Sequence, residues 1–135
     1  MSSVPRSLVI DAGVVVAALV DGGPTGDWAV RQLMAGSLAA PHLMPVEVAN
    51  ILRRACLAGD ITDDVAALAH EDLQHLAVEL VPYHPFAERV WELRGAVTAY
   101  DAWYVALAEA LGAPMATLDA RLTRATGPRC AFVCP

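Results

Sequence analysis

The chain contains no lysine: all nine of its basic residues are arginines. That absence excludes mechanisms built on an amine, among them a phosphate-gripping P-loop lysine or a Schiff base. Charge is scarce at 18% and aromatics at 6%, whereas 56% of the residues are hydrophobic. Such a composition is too apolar for a disordered chain and predicts a partner subunit to cover the surplus surface. Yet no apolar run approaches the roughly eighteen residues needed to cross a bilayer, and the first residues lack the pattern of a cleaved export signal. A cytoplasmic protein with no membrane partner is therefore expected. Of only three cysteines, Cys130 and Cys134 stand four apart in an expected strand. That spacing spans about 13 Å of rise, beyond disulfide reach. They are expected to be reduced, buried, structural thiols.

At 135 residues the chain is expected to form one domain over 1–135, large enough to bury about two thirds of its unfolded surface. Residues 8–11 form an aliphatic run that stops at a carboxylate, the pattern of a buried parallel strand. A short helix is expected over 14–20, then a Gly/Pro loop over 21–27, with Asp27 capping a helix over 28–35. Residues 38–40 are too short to assign. Pro41 and Pro45 bracket the start of a helix reaching residue 58; Gly59 ends it and Thr62 caps another over 63–77. A strand is expected over 78–81. Phe86, Val90, Leu93 and Val97 recur at helical spacing and predict a helix over 86–97. Asp101 opens the next helix, which ends at Gly112; residues 114–118 run apolar into Asp119, 120–125 are helical, and 130–134 close as a strand. Short apolar strands alternating with helices imply a three-layer α/β/α sandwich with a short, mostly parallel central sheet. Ligands in such sheets sit beyond the carboxyl ends of the strands, where Asp11 and Asp119 both fall.

Most of the fifteen acids have ordinary explanations. Asp63 and Asp64, for example, occupy a first helical turn, where the helix dipole favours negative charge. Asp11, Asp101 and Asp119 differ, because each adjoins apolar sequence where burial penalises an unpaired charge. Asp101 would serve equally as a helix cap, and Asp11 as a cap for the helix after Gly13. Glu47 shares a helical face with Asn50 and Arg54, a spacing that suits a surface ion pair as well as a site. Carboxylates gathered without histidine or cysteine ligands favour a hard cation such as Mg2+ or Mn2+.

Four segments carry a family resemblance: Val9-Ile10-Asp11-Ala12, Pro45-Val46-Glu47-Val48, Tyr100-Asp101-Ala102-Trp103-Tyr104-Val105-Ala106-Leu107-Ala108-Glu109, and Ala116-Thr117-Leu118-Asp119-Ala120-Arg121-Leu122. In this order they resemble the PIN-domain ribonucleases, specifically VapC-type toxins of VapBC toxin–antitoxin pairs. The resemblance implies a single PIN-like domain that cleaves RNA with Mg2+ or Mn2+ held by Asp11, Glu47, Asp101 and Asp119. Asp11 and Asp101 would be the principal metal ligands, with Glu47 and Asp119 completing the site and Thr117 supporting the acids. It further implies a homodimer and a cognate VapB-type antitoxin; Trp28, Val30, Leu33 and Met34, on an early amphipathic helix, are candidate contacts, although a core role suits them somewhat better. The chain departs from the pattern at Gly13, where the family commonly has serine, asparagine or threonine; losing such a supporting oxygen typically costs ten- to a hundred-fold in metal affinity or activity.

Nucleic-acid binding must be reconciled with a net charge of −6, since phosphate neutralisation dominates such affinity. Setting the four candidate acids aside brings the formal charge to −2. Arg53, Arg54, Arg121 and Arg124 would form a basic rim, and Trp103 or Tyr104 would offer stacking surfaces; ordinary surface arginines and core aromatics suit the same positions equally well. A catalytically silent PIN domain that acts as a protein-binding module is the competing reading, motivated by Gly13 and the acidic charge. An aspartyl-phosphate protein with Asp11 as nucleophile is a third, disfavoured by the absence of lysine.

Overall fold

A computed structural model describes residues 6–135. Five parallel strands form the sheet, in the spatial order β3-β2-β1-β4-β5: β1 Ser7–Ile10, β2 Ser37–Pro41, β3 Val78–Val81, β4 Met115–Ala116 and β5 Phe132–Val133. Around it lie α1 Ala12–Val20, α2 Pro24–Met34, α3 Met44–Leu57, α4 Asp63–Gln74, α5 Ala87–Glu92, α6 Ala99–Leu111 and α7 Ala120–Thr123, with a 3-10 turn at His84–Phe86. The architecture is the α/β/α sandwich expected. Leu8, Val9 and Ile10 are buried because β1 is paired on both edges and covered on both faces, which is why its sequence is a continuous aliphatic run.

The chain winds outward from β1 in two directions, through β2 and β3 on one side and β4 and β5 on the other. The strand order therefore reverses between β1 and β4, and the carboxyl ends of those two strands open a crevice. Ile10 pairs with Ala116, so Asp11 and Thr117 each stand one residue beyond a paired position. α6 packs across β1, β2 and β4 through Ala102, Val105, Ala106 and Ala108, all buried.

Several boundaries differ from those expected. α2 begins at Pro24, because Pro24 occupies its first turn, where a missing N–H costs nothing. Asp27 consequently lies inside the helix and does not cap it. Gly26 is required there, since a Cβ would collide with the Asp21 carbonyl oxygen at the close α1–α2 crossing. Thr98, not Asp101, caps α6. Gly112 ends that helix in the left-handed conformation (φ 60°), as glycine at this position does. The helix expected over 86–97 stops at Glu92, and the chain turns through 93–97. Nor are the thiols buried: β5 is a two-residue edge strand, which leaves Cys134 exposed and Cys130 half-buried. No helix among the described residues is long and apolar enough to cross a membrane.

One ion pair ties α5, α6 and the C-terminal segment together. Arg89 donates from Nε to Glu109 Oε1 at 2.7 Å and from Nη2 to Oε2 at 3.1 Å and to the Gly127 carbonyl at 2.9 Å, while the Arg129 N–H reaches Glu109 Oε2 at 2.7 Å. Burial pushes the Glu109 carboxyl up, but these donors outweigh it and hold it below the usual range. Arg89→Ala is expected to lower unfolding stability at neutral pH by about 2 kcal/mol, measured by urea denaturation, because it strands a largely buried carboxylate. A depressed folded-state pKa gives stability that is present above the unfolded value and lost as pH falls through the folded one. The gap between wild type and variant should therefore narrow in acid.

Candidate active site

Asp11 follows β1 directly and caps α1, with Oδ1 accepting the Val14 N–H at 3.0 Å. Its other oxygen, Oδ2, accepts the hydroxyl of Thr117 at 2.6 Å. Thr117 is fully buried, and its Oγ1 also accepts the Asp119 N–H at 3.0 Å. One threonine thus fixes the first acid by its side chain and the last by its backbone. Asp119 in turn caps α7, accepting from the amides of Arg121 and Leu122 at 2.9 and 3.3 Å.

α6 supplies two further groups one helical turn apart, Asp101 and Tyr104. The Thr98 hydroxyl accepts the Asp101 N–H at 3.2 Å, which seats Asp101 in the first turn. Tyr104 is only 2% exposed, and its hydroxyl donates to Glu47 Oε1 at 2.7 Å. This bond turns Glu47, in the first turn of α3, toward the sheet crevice and away from a surface pairing with Arg54.

The four acids share one electrostatic environment. Burial pushes the Asp11 carboxyl up, the Thr117 and Val14 hydrogen bonds oppose the rise, and the charges of Asp101 and Asp119 add to it. Glu47 is raised by burial and by Asp101 and Asp11, against the lowering effect of Tyr104. Asp101 is raised by burial and by Asp119. Burial also pushes the Tyr104 phenol up, reinforced by its bond to Glu47, so it remains a neutral donor.

Asp101 and Asp119 line an open cleft of about 440 Å3, together with Arg94, Thr98, Arg121 and Leu122. Of the basic rim expected from sequence, only Arg121 faces this cleft; Arg53, Arg54 and Arg124 are exposed but do not line it. Arg94 does, although nothing in its spacing distinguished it. Tyr104 is committed to Glu47 and offers no stacking surface. Trp103 is half-buried, edge-on to Tyr83 at 5.3 Å between centroids and 87° between planes. Gly13 has room for a larger residue, as a Cβ there would meet only Asp11 Oδ1, at 3.5 Å.

The donors are carboxylates throughout, with no histidine or thiol among them, and their mutual repulsion is what a hard cation relieves. Among the described residues, no three His, Cys, Asp or Glu side chains close on a common point by themselves. Mg2+ is commonly held by one or two carboxylates with water in its remaining positions. The residues present fit an ion of that kind: hydrogen bonds orient the Asp11 carboxylate, and Asp101 is seated by its backbone in the first turn of α6, where it lines the cleft.

Fold and cluster together define an α/β/α protein with an acidic centre at the reversal point of its sheet. The chain belongs to the PIN-domain family, whose model matches residues 8–128, and within it to the VapC ribonucleases. It is 43% identical over 124 residues to Ribonuclease VapC1 of Mycobacterium tuberculosis, covering 90% of this chain and 92% of that one. Among solved structures, the fold is shared with Mycobacterium tuberculosis VapC20, described as a Sarcin-Ricin loop cleaving toxin, at a TM-score of 0.67 and 16% identity, covering 87% of this chain and 93% of the other. It is also shared with VapBC-5 of the same organism, a member of the VapBC family of toxin–antitoxin systems, at a TM-score of 0.58 and 23% identity, covering 96% and 98%.

The raised carboxyls fix the direction of a pH effect. A folded-state pKa above the unfolded value contributes stability below the unfolded value and loses it as pH rises through the folded one. Metal-free protein should therefore become less stable as pH climbs from the usual carboxylate range toward neutrality. Asp101→Asn, which removes one charge from the cluster, is expected to raise the melting temperature at neutral pH in chelator and to flatten this dependence; differential scanning calorimetry across pH reads both.

Proposed function

We propose that this protein is a metal-dependent endoribonuclease toxin that cuts a structured RNA of the tRNA or rRNA class, inhibits translation, and is neutralised by a cognate VapB-type antitoxin. The observation that carries the reading is the electrostatic coupling of Asp11, Glu47 and Asp101 near the ends of β1 and β4, each raised by burial and then by the charge of another acid, with Asp119 acting on Asp11 and Asp101. Membership among the VapC ribonucleases supports the reaction class. Asp11 and Asp101 would hold Mg2+ or Mn2+, and Glu47 and Asp119 would complete the site. When bound, such an ion activates water and offsets charge developing on the scissile phosphate. The chain's own part is positional. Thr117 and the Val14 amide hold the Asp11 carboxylate in one orientation, the Tyr104 hydroxyl aims Glu47 to orient the attacking water, and the α7 amides keep Asp119 at the cleft edge.

Exposed apolar side chains such as Met34, Val46 and Leu57 are surface that a homodimer partner or an antitoxin would cover. Of the antitoxin candidates on α2, Val30 and Met34 remain available, whereas Trp28 and Leu33 pack against the core.

Purified protein free of antitoxin should cut total cellular RNA into discrete fragments in the presence of Mn2+. Asp11→Ala and Asp101→Asn should each lower the rate by at least about a hundredfold, and chelator should abolish it. Gly13→Ser should increase manganese affinity about tenfold by adding a hydroxyl beside Asp11. Folded wild type that leaves RNA intact would instead favour the silent protein-binding module.

A further inference from the structure

An acidic centre repels the polyanion it is to cut, so the cleft needs its own means of gripping RNA. Resting on the ribonuclease reading above, we propose that Trp91, Arg94 and Arg121 form that grip, holding an unpaired nucleotide and its phosphate beside the scissile bond.

The turn after α5 creates the arrangement. Leu93 is buried in the core, and the chain then bends through 94–97 so that Arg94 and the following residues become one wall of the cleft. Arg121, at the start of α7, lines the same cleft. Asp101 and Asp119 lie on it as well, so both arginines share a cleft with two of the candidate site acids, and Trp91 adjoins that cleft through Arg94. Arg94 is already held in place. Its guanidinium lies 4.7 Å from the centroid of the Trp91 ring, and Nη1 donates to the Trp91 carbonyl at 2.8 Å. Among the described residues it makes no ion pair, although acids share its cleft. A guanidinium fixed by stacking loses little further freedom on forming a fork with a phosphate.

Trp91 is 67% exposed, an unusual position for so large an apolar ring. With the planar guanidinium it forms a platform on which a base can stack. Stacking requires a base splayed out of a duplex, so the grip selects unpaired RNA. A peptide run of acidic residues alone would use the two arginines without engaging the ring.

The test is fluorescence anisotropy with a labelled unpaired RNA oligonucleotide and the full chain free of antitoxin, in chelator so that cleavage does not compete. Arg94→Gln and Arg121→Gln should each weaken binding about tenfold and lower the slope of log affinity against log salt by about 0.7. Trp91→Ala should weaken binding at least about fivefold and leave the slope unchanged. Arg31→Gln, on the exposed face of α2 and not on the cleft, should bind as wild type does. All four side chains are exposed, and thermal melts confirm that the variants fold. Wild-type binding by Arg94→Gln and Trp91→Ala, or an equal loss in Arg31→Gln, overturns the grip. Manganese-dependent cleavage by wild type in that case leaves the ribonuclease reading intact. If wild type neither binds the oligonucleotide nor cuts RNA with Mn2+, both fail.

Discussion

The hydrogen bond from Thr117 to Asp11 is the point on which the site depends. It joins residues 106 positions apart in sequence, and it exists only because β1 and β4 run side by side and parallel, with Ile10 opposite Ala116. A one-residue slip in that register would turn Thr117 to the other face of the sheet and leave Asp11 without its donor. The short β4 is pinned from both sides: Asp11 donates its N–H to the Ala116 carbonyl at 3.2 Å, and Thr117 donates its own to the Val133 carbonyl at 3.0 Å. The backbone of the sheet and the orientation of the first acid are thus one structure.

Around that bond the protein gathers like charge at a partly buried sheet edge. Burial and neighbouring acids raise Asp11, Glu47 and Asp101 together, and two hydroxyl donors, Thr117 and Tyr104, partly offset the cost. A cluster of this kind destabilises the fold unless its charge is offset by protons or by a cation. The Arg89–Glu109 pair lies on the side of α6 that carries Glu109, two turns along from Asp101, and steadies α6 without adding charge to the crevice.

How far the sequence reveals this site depends on whether a residue's role is set locally. Asp11 and Asp119 were legible because each ends an apolar run, and strand ends are where such sheets bind ligands. Spacing does not decide Glu47, since a glutamate two turns from an arginine looks the same on a surface helix; the deciding partner, Tyr104, lies on another helix 57 residues away. Sequence suits Tyr104 equally to a stacking surface and to the core, and packing, which buries it, decides for the core. Arg94 is hidden by an apolar periodicity that suggests one helix over 86–97, whereas the chain leaves the helix after Glu92 and makes the arginine part of the cleft wall. The α2 boundary failed for a local reason: Pro24 reads as a loop residue, yet it is equally at home in a first helical turn.

The central claim is that these carboxylates form one unit poised for a divalent cation. Calorimetric titration of Mn2+ into metal-free protein, just above the usual carboxylate pH range and in two buffers of different ionisation enthalpy, tests it most directly. Binding should be accompanied by proton release, because cation binding pulls down carboxyls that the fold holds high, with both signals lost in Asp11→Asn. Binding that releases no protons, or that persists undiminished in Asp11→Asn, would contradict it.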